Sequence, residues 1–178
     1  MKHATLLLAL ALALALPGCD DSGYNKGDIV SDSSSSSTAT SWAQEAYVKA
    51  ANNDALDFFG YNVALSGDTL AVGSLFEDSN ETTITNSTST SSDDSSSNSG
   101  AVYVYKRTGT SWAQEAYVKA ANKDNSDEFG KSVALSGGTL AVGSHLEDSN
   151  ETTITNGTIA SSDDSSTNSG AVYVYLVQ

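Results

Sequence analysis

The chain has 178 residues, with 22 acidic against 8 basic side chains and a formal net charge of −14. A surface of that sign repels phosphate backbones and anionic lipid, which argues against nucleic acid as a partner and leaves cations as the natural counterparts. Cys19 is the single cysteine, so no internal disulfide can form.

Taken in chain order, the first feature is Lys2 followed by a Leu/Ala run from Thr5 to Leu16. The run falls short of the roughly 20 apolar residues that span a bilayer and has the length of a signal-peptide core. Leu16-Pro17-Gly18-Cys19 closes it and resembles the lipobox of bacterial lipoproteins, with Pro17 standing where a small residue is usual. The resemblance implies a signal peptide over 1–18, lipidation of Cys19 and anchoring in a bacterial cell envelope, held by more than one acyl chain. The alternative is a plain secretory signal cut nearby. Asp20 follows, a residue that holds lipoproteins at the inner membrane in enteric bacteria; the rule varies between bacteria, so inner and outer membrane both stay open. Residues 19–40 are Ser, Asp, Gly, Asn and Thr with little else, and are expected to form a disordered tether.

The rest is a tandem repeat, about 41–110 and 111–178. Ser41 to Asn52 (SWAQEAYVKAAN) recurs unchanged from Ser111 to Asn122, and Phe59-Gly60 recurs as Phe129-Gly130. Val63 to Gly67 recurs as Val133 to Gly137, and Thr69 to Ser74 as Thr139 to Ser144, always 70 positions on. Such a period suits a propeller blade or an array. The Trp42 segment is rich in helix formers. Read as a strand, it puts Trp42, Ala46 and Val48 on one face, and four strands then complete each period.

Gly67-Asp68 and Gly137-Gly138 fit two-residue hairpin turns. Such a turn pairs Leu65 with Leu70 and Val63 with Val72, giving one bulky face, while Ala64, Ser66, Thr69 and Ala71 form a small one. In Gly-Ala-Val-Tyr-Val-Tyr, at Gly100 and again at Gly170, Tyr103 and Tyr105 point one way and Val102 and Val104 the other. Neither face is polar, and no amphipathic helix is present to cover either. A half-solvated antiparallel sheet alternates apolar and polar residues. The expectation is therefore sheet upon sheet, bulky face against small face.

These runs, from Phe-Gly through Val-Ala-Leu-Ser-Gly-Asp-Thr-Leu-Ala-Val-Gly and Ser-Gly-Ala-Val-Tyr-Val-Tyr to Ser-Trp-Ala-Gln-Glu-Ala-Tyr, resemble bacterial FG-GAP repeat proteins, which are similar to the repeats of the integrin α-chain propeller. Val72-Gly73-Ser74 and Val142-Gly143-Ser144 stand where that family has Gly-Ala-Pro. The resemblance covers residues 41–178 and implies an all-β fold of two tandem four-stranded antiparallel blades, a partial β-propeller. The fourth strand of blade two is missing at the C-terminus, and an orphan copy runs from Trp42 to Ala50; in propellers such a strand often completes the last blade. Two blades do not close a ring. Self-association through open blade faces, a small face-to-face sandwich and a fragment of a longer array are the three readings this leaves.

The loops at 75–99 and 145–169 are long enough to be functional or disordered. Glu77, Asp78, Asp93 and Asp94 in the first, and Glu147, Asp148, Asp163 and Asp164 in the second, are candidate ligands for Ca²⁺, which takes 6–8 oxygens. The calcium loop of integrin-type blades does not carry over, since the matching connection is only Gly67-Asp68 or Gly137-Gly138. A solvated acidic loop is the simpler reading. His145 is the only histidine beyond the leader and is matched by Leu75 in the first copy; no Gly-x-Ser-x-Gly elbow accompanies it. A lipid-anchored envelope module for binding or adhesion, cation-dependent or not, with a protein or glycan ligand, is the leading expectation. A structural surface protein without specific ligand is the second, and a propeller hydrolase the last; the chain is not expected to be an enzyme.

Overall fold

The computed structural model describes residues 41–177; the leader, Cys19 and the tether expected over 1–40 lie outside the described residues. Every regular element in the described residues is a strand: β1 (Asn62–Ser66), β2 (Thr69–Ser74), β3 (Ile84–Thr85), β4 (Ala101–Thr108), β5 (Ser111–Val118), β6 (Ser132–Ser136), β7 (Thr139–Ser144) and β8 (Ala171–Leu176). They form two antiparallel sheets. Blade one has the order β1-β2-β4-β5-β3 and blade two the order β6-β7-β8.

Hairpin chemistry sets the register. Gly67 takes φ 58° and Gly137 φ 56°, the left-handed conformation that a tight turn between twisted strands requires. Leu65 then faces Leu70 and Val63 faces Val72, as the turn residues dictate, and the second copy repeats this with Leu135 opposite Leu140 and Val133 opposite Val142. Tyr103 lies beside Val72 and Tyr105 beside Leu70, so the tyrosines join the bulky face. On β4 the register to β5 shifts between Val104 and Tyr105, a bulge that bends the outer strand.

The two blades stack bulky face on small face. Ala71, Val102, Val104, Ala116 and Val118 of blade one meet Val133, Leu135, Leu140, Val142 and the Tyr173 and Tyr175 rings of blade two in one apolar cluster. Each Val or Leu fully buried there contributes about 1.5–3 kcal/mol. Side chains of β1 also bond the backbone of β6: Val133 N donates to Asn62 Oδ1 at 3.2 Å, and Gly137 N to Ser66 Oγ at 3.2 Å.

Behind this contact, backbone presses on backbone. The Phe129-Gly130 turn lies on the start of β4, with Phe129 N donating to Ser99 O at 3.0 Å and Glu128 N to Asn98 O at 3.1 Å. A Cβ on Gly73 would sit 2.2 Å from Gly130 O, and one on Gly100 would sit 2.1 Å from Phe129 O. The Phe129 ring meets Tyr173 edge-on at 5.3 Å, as Phe59 meets Tyr103 at 5.3 Å.

One expectation is overturned. Residues 42–50 do not complete blade two and carry no strand. They approach the bulky face of blade one, where Val48 and Ala50 pack with Val72, Tyr103 and Phe59, and Tyr105 Oη donates to Lys49 O at 3.2 Å. The cause is the polarity of the repeat. Residues preceding a blade settle on its bulky face: Tyr175 Oη donates to Lys119 O at 3.5 Å in the same way. Blade two occupies the opposite face of blade one, so the orphan segment faces away from β8. Among the described residues blade two has three strands.

Gly73→Ala is expected to destabilise the fold by about 1–3 kcal/mol through overpacking against the Gly130 carbonyl. Gly143→Ala, whose Cβ would meet only the rotatable Ser132 Oγ at 2.4 Å, should cost clearly less. Urea denaturation of both variants checks the contrast, and equal losses would contradict the packing described.

Candidate functional site

The long loops leave β2 and β7 and return at β4 and β8, so both stand at the same end of their blades. Their first residues turn inward. Glu77 is buried and forms an ion pair with Lys119, Nζ to Oε2 2.8 Å, with both side chains almost fully enclosed. Ser79 Oγ donates to the same Oε2 at 3.0 Å, Asn52 Nδ2 donates to Oε1 at 3.1 Å, and Lys119 Nζ also donates to Ser99 Oγ at 2.8 Å. Tyr117 Oη is 2.5 Å from Ser79 Oγ, and Tyr103 Oη donates to Asn52 Oδ1 at 2.7 Å. Burial pushes the Lys119 ammonium below its usual range, and the Glu77 carboxylate opposes that shift. No buried polar side-chain atom among the described residues is left without a partner, which lets charge sit inside the sheet edge.

Blade two repeats the network except for the cation. Asn122 Nδ2 donates to Glu147 Oε1 at 2.9 Å, Ser149 Oγ donates to Oε2 at 2.9 Å, and Tyr173 Oη donates to Asn122 Oδ1 at 2.7 Å. Lys119 directly follows β5, and among the described residues blade two has no strand in that place.

The other candidate carboxylates also have local tasks. Asp78 Oδ1 accepts from Asn98 N at 2.6 Å and Asp148 Oδ1 from Asn168 N at 2.5 Å, which ties each loop's start to its end. Asp93 accepts from Ser95 N at 3.1 Å and Asp163 from Ser165 N at 3.0 Å, each closing a local turn. Asp94 and Asp164 are exposed. Among the described residues, no group of three or more His, Cys, Asp or Glu gathers closely enough to hold a metal ion. Most of the acids expected to bind calcium have other partners: Glu77 pairs with Lys119, and Glu147, Asp78, Asp148, Asp93 and Asp163 accept hydrogen bonds inside their own loops.

Two acids not singled out from sequence lie beneath these loops. Asp57 and Asp127 are buried, and their carbonyls accept from Ser74 Oγ at 2.8 Å and Ser144 Oγ at 2.7 Å. Burial raises each carboxyl to about 6; Glu77 and Asp54 add to the rise at Asp57, and Asp124 and Glu147 at Asp127, against the hydrogen bond each accepts from a backbone N–H. Their recurrence 70 positions apart, in a stretch where neighbours such as Ala55 and Asn125 differ, is the signal that marks them. His145 stays at the surface, its Nδ1 3.7 Å from Glu128 Oε2.

The described surface carries an open cleft of about 370 Å³ on blade two, bounded by Lys131, Gly143, His145, Gly170 and Val172. A second, of about 230 Å³, lies between residues 46–49 and the Tyr105, Trp112 and Gln114 side chains.

Lys119→Met should cost about 3–5 kcal/mol, because it strands the Glu77 carboxylate. Adding Glu77→Gln should return part of that loss, read as the urea midpoint of the single and double variants. The pH response has a definite sign. A carboxyl whose folded pKa lies above its unfolded one favours the folded state in its protonated form, so stability is greatest below about 4 and declines as pH rises through about 6 for Asp57 and Asp127. Melting temperature should therefore climb as pH falls from 7 to 5, and Asp57→Asn/Asp127→Asn should raise it at pH 7 and flatten that slope.

The FG-GAP repeat model matches residues 42–105 and 112–175. No curated protein and no solved structure matches the chain. The two matched stretches cover most of the chain, begin at Trp42 and Trp112, and end at the tyrosines of β4 and β8. Each holds one Phe-Gly turn, one hairpin and one long loop, and on this evidence the chain belongs to the FG-GAP repeat family.

Proposed function

We propose that the chain is a binding or adhesion module of a bacterial cell envelope, held to the membrane through a lipid on Cys19. The observation that carries this reading is the pairing of two long loops, rich in Ser, Thr, Asn and Asp, on one end of a rigid double blade. Each loop is tethered at its base by Glu77 and Asp78 or by Glu147 and Asp148. Loops on a stiff scaffold present a surface without a large ordering cost. Their hydroxyl, amide and carboxylate groups suit a glycan or a basic protein segment as ligand, and the charge of −14 favours the latter by long-range attraction. Membership of the FG-GAP family supports a propeller-like module built for contact rather than for turnover. The Leu/Ala run and Leu16-Pro17-Gly18-Cys19 support the anchor. Calcium dependence forms no part of this reading, since most of the loop carboxylates already hold an ion-pair or hydrogen-bond partner.

Two measurements test it. The full chain expressed in a bacterium should partition with membranes and Cys19→Ala should not; equal partitioning would remove the anchor. The purified protein should retain a basic polypeptide or a glycan from an array. Replacing residues 86–92 and 156–162 by Gly/Ser linkers should then weaken retention by about tenfold or more. Retention unchanged by that replacement, or no retained ligand at all, would refute a loop-based binding role.

A further inference from the structure

We infer that a second copy of this chain docks head to tail on blade two, lending its residues 42–50 as the missing fourth strand and seating its Phe59-Gly60 turn in the cleft beside Gly170. The joint inside one chain is the template, and each part of it recurs unused at the two ends.

The donor end is residues 41–52, identical to residues 111–122. Within the chain the second stretch is β5, and its Tyr117 is wholly buried. Its counterpart Tyr47 is 81% exposed, and Trp42 is 98% exposed. The acceptor end is β8. Its equivalent β4 pairs with β2 on one side and β5 on the other, whereas among the described residues β8 pairs with β7 alone and its other edge is open. Transposing the β4–β5 register places Val48 opposite Val172, Tyr47 opposite Tyr173 and Ala46 opposite Val174.

Three independent features meet the same docking. Lys49 is the counterpart of Lys119, so the added strand would bring its ammonium to Glu147, the buried carboxylate without a cation. Val172 and Val174 on the small face of blade two are 71% and 64% exposed, whereas Val102 and Val104 are 0% and 9%. Val63 and Leu65, whose counterparts Val133 and Leu135 cover Val102 and Val104, are 60% and 64% exposed at the other end of the molecule. The cleft lining includes Gly143, Ser144, Gly170, Ala171 and Val172. The same positions on blade one are Gly73, Ser74, Gly100, Ala101 and Val102, all buried where Phe129-Gly130 presses down. Nothing lies within 4 Å of a Cβ built on Gly60, the glycine that would make the equivalent contact in a second copy.

Docking keeps the donor's own contacts at residues 49–52; the Glu45–Arg107 ion pair ahead of them, 3.2 Å, lies at the surface. Residues 49–52 hold blade one of the donor as residues 119–122 hold blade two within the chain, where β5 already serves one blade and leads into the next. Such a joint is heterologous: it closes a ring or grows as a filament.

Sedimentation of the full chain in mild detergent tests this. Wild type should sediment as multiples of the chain. Lys49→Glu blocks the donor end and Val174→Asp the acceptor end. Both side chains are exposed, so melting temperatures should hold, while each variant alone should weaken association about a hundredfold. A mixture of the two should give a one-to-one dimer, since one intact joint remains. A monomeric wild type, association untouched by Lys49→Glu, or a mixture that stays monomeric would each overturn the inference.

Discussion

Everything in this fold follows from a sheet that has no face for water. β2, β4 and their counterparts in blade two carry Val, Leu, Ala and Tyr on both sides, and every regular element among the described residues that could cover them is another strand. Stacking identical sheets meets that demand when the two faces differ in size. Ala71 and Val102 leave the room that Val133 and Leu135 fill, and the hydroxyls and amides of β1 bond the adjacent backbone of β6. Three glycines bring the backbones into direct contact behind the apolar cluster. An aliphatic core and a backbone seam therefore lie side by side in one interface.

The polar network at the loop bases is subordinate to that stacking. Lys119 can be buried because β5 is held against β4 along its whole length, and Glu77 can be buried because Lys119, Ser79 and Asn52 surround it. The network in turn fixes where the long loop departs. In blade one the loop sends Ile84 and Thr85 back along the edge of β5 as the short strand β3, opposite Val118 and Tyr117. In blade two the corresponding Ile154 has no outer strand to pair with and lies exposed. One absent strand thus changes the loop, the ion pair and the sheet edge together.

The hairpins, the pairing of Leu65 with Leu70, the tyrosine face and the face-to-face stacking were legible in the sequence because they depend on a period of two and on a glycine turn, both local. The fate of residues 42–50 was not. Composition alone leaves them open to helix or strand, and their place depends on whether they can reach β8. A closed ring brings the ends together, while two stacked blades put them on opposite faces. The Glu77–Lys119 pair joins residues 42 positions apart, from a loop to the residue just past β5, so neither side chain announces the other. Asp57 and Asp127 sit in turn-rich stretches that read as solvated; what buries them is the Phe-Gly turn folding back over β2 and β7. The loop acids lie close together in sequence, whereas in space Glu77 pairs with Lys119, Asp78 and Asp93 accept backbone N–H groups of their loop, and Asp94 stays exposed.

The frame of the repeat is offset from the frame of the blade by one strand. Ser41 to Asn52, ahead of blade one, and Ser111 to Asn122, at the junction of the two blades, are identical. Recombination between those stretches in the gene would insert or delete an entire unit and leave every seam spelled as before. The number of blades can then drift by copy count alone, with no new interface to evolve, and selection is left free to act on the loops.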